Sequence, residues 1–233
     1  MSLLGAGGYG LVIQSSPYRA TKLFYEPNKD KVIDEYEMLQ MAYDIAVREI
    51  PEICVPVPHR LNNHPICYQG QIYLSGFEMD ALQTPLEFQE QVHMLLGYNG
   101  LDIDDSWGRS TAKPVSEKNP TRGFFASPET MELIWKEEKT NMTCDKLAYI
   151  MGKTYRLFIE GGLLPVDVEW VWSNGKPCVI DFGLCHMIKT PISHYALTDY
   201  LYRQGSEGLA SDIYIPHQES PYYESFLKGY YNQ

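Results

Sequence analysis

The chain has no run of eighteen apolar residues, no basic opening followed by an apolar stretch, and no excess of positive charge. The first absence excludes a membrane-spanning helix and the second a secretory leader, so a cytoplasmic location with no membrane partner is expected. The third, a formal net charge of -11 from 30 acidic and 19 basic residues, disfavours non-specific binding to DNA or RNA, because neutralising phosphates needs a basic surface. It suits a cationic substrate group such as an arginine side chain. Cysteine is scarce and unpatterned. Cys54, Cys67, Cys144, Cys178 and Cys185 show no paired CxxC spacing, which argues against a structural zinc site and favours reduced, mostly buried thiols over a disulfide framework. Internal repeats, a heptad seam and low-complexity tracts are also missing.

What is present is enough apolar material for a core. With 233 residues, 44% of them hydrophobic, the chain suits one large domain or two small lobes. Residues 3–13 read LLGAGGYGLVI, with Gly5, Gly7 and Gly10 followed by Val12. Glycines that lead into a β-branched run mark a turn between two strands, whereas a dinucleotide fingerprint needs a helix directly after them. The turn either lets bare backbone approach a phosphate or is a loop with no ligand. Lys22 follows in an extended segment, Tyr18 to Phe24. Val32 to Arg48 then carries Ile33, Tyr36, Leu39, Tyr43 and Ala46 at helical spacing. Glu35 or Glu37 on that helix could face Lys22, and Glu35 is preferred. Pro51, Pro56 and Pro58 end the helix, and two short strands follow between Cys67 and Met79, reaching Glu78 and Met79.

Thr84 to Leu96 has helical spacing, and about 97–130 reads as an irregular insert whose Asp102, Asp104 and Asp105 form a solvated acidic loop. Further helices are expected over Met131 to Lys139, Cys144 to Ile159, and Glu224 to Tyr231. The chemistry concentrates in Gly161 to Cys185, GGLLPVDVEWVWSNGKPCVIDFGLC. Asn174-Gly175 supplies the positive φ of a two-residue turn, so this stretch is a β-hairpin with acids at its ends. Asp167 and Glu169, one residue apart on a strand, share a face, and Val166, Val168, Trp170 and Trp172 share the other. The carboxylates face either a cleft or water.

The glycine turn, Lys22, Glu35, the Glu78-Met79 pair and Asp181-Phe182-Gly183 occur in the order and rough spacing of a protein kinase, which the chain resembles. The resemblance implies an α+β fold in two lobes: 1–80 with a small antiparallel sheet and one helix, and a trimmed, mainly helical 81–233. It implies that Gly5, Gly7, Gly10 and Val12 cover a nucleotide, that Lys22 holds its phosphates and Glu35 holds Lys22, that Glu78 and Met79 form the hinge reading adenine, and that Asp181 binds Mg²⁺ if ATP and Mg are used. The His-Arg-Asp and later asparagine of kinases are missing. Counting back from Asp181 puts Glu169 near the asparagine and Leu164 near the base, so Asp167 would act from a shifted loop.

Asp34-Glu35-Tyr36-x-Met38, Val55-Pro56, Asp167-Val168-Glu169-Trp170-Val171, Asp181 to Cys185 and Ser220-Pro221-Tyr222-Tyr223 are similar to a fungal family of kinase-like domains, often labelled zinc-finger proteins. That family is connected here to the arginine-containing cyclodipeptide synthases. This second resemblance implies a transferase that takes aminoacyl-tRNA, needs no cofactor, and uses Asp167 or Glu169 to bind arginine or shuttle a proton. An ATP/Mg-dependent phosphotransferase acting on a small molecule or protein, and a binding or scaffold module, are the alternatives.

Overall fold

The structure is a computed structural model that describes residues 1–26, 28–62, 64–82, 92, 128–137, 139–188, 215–216 and 220–233. Among these residues the architecture is mixed α+β, with a five-stranded antiparallel sheet and four helices. The sheet contains β1 (Ser2–Ala6), β2 (Gly10–Ser16), β3 (Arg19–Phe24), β4 (Pro58–Asn62) and β7 (Gly76–Asp80), in the order β1-β2-β3-β7-β4. Between β4 and β7 lies a small hairpin of β5 (Ile66–Tyr68) and β6 (Gln71–Tyr73). Strand periodicity divides the sheet's two faces. Leu11, Ile13 and Leu23 join Tyr68 and Tyr73 in a small cluster under that hairpin. Phe24 and Phe77 instead enter the main core with helix α1 (Lys29–Glu49).

Helix α1 begins where Asn28 Oδ1 accepts from Lys31 N at 3.2 Å, a side-chain cap. Its buried stripe of Val32, Glu35, Met38, Leu39, Ala42, Ile45 and Ala46 is apolar except for Glu35. That exception is the first sign of function on this face. The helix stops at Ile50, before Pro51.

Beyond the sheet come α2 (Pro128–Glu137), α3 (Cys144–Glu160), β8 (Leu163–Leu164), the hairpin of β9 (Glu169–Ser173) and β10 (Lys176–Ile180), β11 (His186–Met187) and α4 (Tyr223–Tyr231). β8 pairs with β11, and Asn174 and Gly175 turn β9 into β10 with φ of 52° and 74°. Thr143 caps α3, whose buried Tyr155 and Phe158 pack in the same cluster as Trp170, Trp172 and α1. Trp135 of α2 stacks on Trp172 with centroids 5.4 Å apart. α3 and α4 meet at two glycines: a Cβ at Gly152 would strike the Phe226 carbonyl, and one at Gly229 the Tyr149 carbonyl. The main apolar cluster is therefore continuous from the sheet's α1 face into the helical part.

Two sequence expectations are corrected. Val166, Val168, Trp170 and Trp172 are buried as expected, but Val171 and Ser173 are buried too, so β9 is covered on both faces. The cysteines are not all reduced. Cys54 and Cys178 form a disulfide across a separation of 124 residues. The connector after α1 runs parallel to β10, with Cys54 N donating to the Pro177 carbonyl and Val179 N to the Cys54 carbonyl, each at 2.9 Å. That bridge brings the two Cα atoms to 4.4 Å, a proximity that spacing along the chain does not reveal. The same connector is tied by Glu52, whose carboxylate accepts from Lys153 Nζ of α3 at 2.8 Å. The expected helix over Thr84 to Leu96 and the acids Asp102, Asp104 and Asp105 lie outside the described residues. No helix among the described residues is long and apolar enough to cross a membrane.

Cys67 is exposed, whereas Cys144 and Cys185 are buried. Alkylation of the native, unreduced protein will therefore label Cys67 alone. Unfolding without reductant will raise the count to three, and reductant to five. Five labels without reductant would contradict the disulfide. Burial would raise the Glu52 pKa, but the Lys153 hydrogen bond and charge outweigh it and hold the carboxyl below its usual value. A depressed acid contributes stability above its unfolded pKa and loses it as pH falls. Lys153→Met should thus destabilise at neutral pH and lose less stability than wild type between about pH 5 and 3, as followed by thermal melting.

Candidate functional site

The site is built around Lys22. On β3, Ala20, Lys22 and Phe24 alternate onto the α1 face, and Lys22 lies opposite both Val12 of β2 and Phe77 of β7. Directly opposed residues share a face, so Val12 stands beside the lysine. Lys22 Nζ donates to Glu35 Oε1 at 2.5 Å and to Asp181 Oδ1 at 3.0 Å. The three side chains are 13%, 4% and 44% exposed respectively, which grades the cluster from the core to the surface. Among the candidate helix acids, Glu35 is thus the partner of Lys22, as the sequence suggests.

Burial opposes the Lys22 charge, but Asp181 and Glu35 overcome it and hold the ammonium above its ordinary pKa. Glu35 is pushed the other way for an acid: burial raises its pKa, with the Asp181 charge adding to the rise and Lys22 opposing it. Its second oxygen, Oε2, is buried without a hydrogen-bond partner. That atom lies 3.0 Å from where a Cβ on Gly183 would stand, and Asp181 Oδ1 lies 3.4 Å from it. Gly183 therefore lets the turn after Asp181 approach the Lys22-Glu35 pair.

The glycine turn divides into two kinds. Gly10 packs so closely on the Leu23 carbonyl that a Cβ has no room. Gly5, Gly7 and Gly8 face open space, and none has positive φ. Packing within the chain therefore explains Gly10 alone. The other three leave bare backbone where a ligand could approach. The turn is closed by Gly7 N donating to the Gly10 carbonyl at 2.9 Å, and Tyr25 N donates to the Tyr9 carbonyl at 3.1 Å.

Glu78 and Met79 stand differently from expectation. β7 is flanked by β3 and β4, so Glu78 and Met79 stand within the sheet, opposite Thr21 and Ala20 of β3 and Arg60 and Pro58 of β4. Met79 packs against the main core. Glu78 pairs with Arg60 at 3.2 Å and Arg19 at 3.7 Å. The chain leaves the sheet only after Asp80, where Ala81 N donates to the Tyr18 carbonyl.

Asp167 is also displaced from expectation. It sits in the four-residue link between β8 and β9, not on a strand, with φ of 53°, and Asp181 just past β10 has φ of 59°. Left-handed non-glycine residues are costly and concentrate at functional sites, although aspartate tolerates the region better than most. Two such aspartates bracket one hairpin. Glu169 pairs with Ile180, the neighbour of Asp181. Burial pushes the Cys185 thiol up, and the negative charges of Asp181, Glu35 and Asp167 all act on it in the same direction. Asp167 also bears on the buried Tyr155 hydroxyl, which burial raises first and which accepts from Trp170 Nε1 at 3.3 Å.

Among the described residues no three His, Cys, Asp or Glu side chains converge as a metal-holding group. A hard cation such as Mg²⁺ commonly rests on one or two carboxylates and takes its remaining oxygens from phosphate and water, a sparse donor set that the 44% exposed Asp181 carboxylate suits. Sequence reasoning missed Lys31 and Tyr9, which pack on each other beside the cleft. The available signal was that Lys31 stands one turn before Glu35. Comparison with models of known protein families gives no match, and comparison with curated proteins gives none either.

Removing Glu35 leaves Lys22 short of a buried partner, whereas Asp181 is nearly half exposed. Glu35→Ala is expected to cost about 3 kcal/mol of stability and Asp181→Asn less than about 1 kcal/mol. Denaturant unfolding of the two variants checks the order, and equal losses would contradict the graded burial.

Proposed function

We propose that this chain is a transferase with a two-lobed, kinase-like cleft that receives the aminoacylated adenosine ends of tRNA and forms an arginine-containing cyclic dipeptide. The observation that supports the reading is the acidic hairpin: Asp167 and Asp181 take left-handed positions on either side of it, Glu169 pairs in register with Ile180 next to Asp181, and Lys22 is bonded to Asp181. The five-stranded sheet with α1 beside it, followed by helices and an acidic hairpin, supports the kinase-like frame. The open glycine turn supports a ligand that presents phosphate to bare backbone.

In this reading an acid of the Asp167-Glu169 pair holds the guanidinium of the arginyl group, which a carboxylate can bind through two parallel hydrogen bonds. The other takes a proton from the attacking α-amine. The amine nitrogen bonds to the ester carbonyl carbon of the second aminoacyl group, the ester C–O bond breaks, and the ribose oxygen leaves with the proton. The remaining α-amine then attacks the other ester in the same way. One cyclic dipeptide and two uncharged tRNAs result, and no redox partner or nucleotide hydrolysis is required. Leu164, near the kinase base position, lies in β8 paired with His186, and the shortened link after it carries Asp167.

A second reading has its own support. Lys22 held between Glu35 and Asp181 is the arrangement a phosphotransferase using ATP and Mg²⁺ needs to seat phosphates. When bound, Mg²⁺ would rest on Asp181 and neutralise phosphate charge.

Purified protein mixed with arginyl-tRNA and a second charged tRNA, without ATP, is expected to release cyclo-Arg-Xaa detectable by mass spectrometry. Asp167→Asn or Glu169→Gln should lower the rate by about 100-fold or more while melting stays within about 2 °C of wild type. No product with any arginyl-tRNA pair, together with Mg-dependent stabilisation by ATP, would overturn the first reading in favour of the second.

A further inference from the structure

We propose that Lys31 is a second anion-binding lysine of this cleft, parked on the Tyr9 ring until a phosphoryl group of the ligand enters the glycine turn. The inference rests on the reading that the cleft takes a nucleotide-bearing ligand. Lys31 and Glu35 are four residues apart on α1, so they share a helix face, the one turned to Lys22. The Lys31 ammonium lies 3.0 Å from the centroid of the Tyr9 ring. Among the described residues it makes no ion pair within 4 Å, although Glu26, Asp30 and Glu35 are all close in sequence or space.

Tyr9 stands at the end of the glycine turn, half-exposed, with its carbonyl anchored to Tyr25 N. The ring therefore holds Lys31 at the residue that follows Gly7 and Gly8, whose backbone faces open space. A cation on an aromatic face is held more weakly than one hydrogen-bonded to a phosphate oxygen. An anion in the turn would thus draw Lys31 from the ring. Lys22 is already engaged by two carboxylates, so a single lysine with no carboxylate of its own is the better first contact for an incoming phosphate. Burial lowers the Lys31 pKa, and the charges of Glu35 and Glu26 offset that only in part, so a close counterion would still favour its charged form.

The ligand chemistry is a phosphoryl oxygen attached to adenosine, whether the triphosphate of ATP or the phosphodiester of a CCA end. Wild type, Lys31→Gln, Lys31→Arg and Tyr9→Leu should be titrated with ATP, with a CCA trinucleotide and with adenosine over a range of salt. Lys31→Gln is expected to weaken at least one phosphate probe about tenfold and to reduce its salt slope by about one, with adenosine unchanged. Lys31→Arg should restore binding to within about threefold, and Tyr9→Leu should bind phosphate as well as wild type or better. A loss confined to ATP assigns the triphosphate as the source, and one confined to CCA assigns the phosphodiester. Wild-type affinity and salt slope in Lys31→Gln would overturn the inference while leaving the nucleotide reading intact. An equal loss of adenosine would overturn it as well. Wild type that binds none of the three probes would overturn both.

Discussion

The Lys22 ammonium, held between Glu35 and Asp181, is the interaction on which the rest of the candidate site depends. It joins three elements far apart in the chain: β3, α1 and the residue just beyond β10. A buried glutamate in an apolar helix stripe is a liability unless it is paired, and its second oxygen has no hydrogen-bond partner among the described residues. The gradient of exposure from Glu35 to Asp181 gives the cluster a fixed inner end and an accessible outer one. Such a lysine remains charged and oriented.

That geometry requires the hairpin to sit still. Its two tryptophans are fully buried, its turn uses the left-handed backbone of Asn174 and Gly175, and its second strand is tied to the connector after α1 by two backbone bonds and the Cys54-Cys178 disulfide. The helix that carries Glu35 and the strand that ends at Asp181 are therefore linked twice, once through Lys22 and once through this connector. The half-buried Asp167 and the exposed Asp181 are thus placed by a deeply packed hairpin.

Much of this was legible in the sequence because it is local. The hairpin turn and the start and end of α3 follow from periodicity and turn chemistry acting over a few residues, whereas the preference for Glu35 over Glu37 has no periodic signal behind it: the face expected from Ile33, Tyr36 and Leu39 is offset from the buried stripe of Val32, Glu35 and Met38. What failed depends on contacts distant in sequence. Cys54 and Cys178 have no recognisable spacing, because a parallel bridge between a connector and a strand leaves no pattern. Asp167 looked like a strand residue by alternation with Glu169, yet the link after β8 takes up a left-handed turn there. Glu78 and Met79 looked like an exit from the sheet, but they stand within it, between β3 and β4. The resemblance to kinases located the residues that meet at Lys22, while Lys31 and Tyr9, which have no place in it, were found only from their packing.

One ligand site is proposed between the glycine turn, Lys22 with α1, and the Asp167 to Gly183 hairpin. Backbone hydrogen exchange measured with and without charged arginyl-tRNA tests it most directly. The account predicts added protection confined to residues 5–12, the first turns of α1 and residues 166–183. Protection centred elsewhere, or no change at saturating ligand, would contradict it.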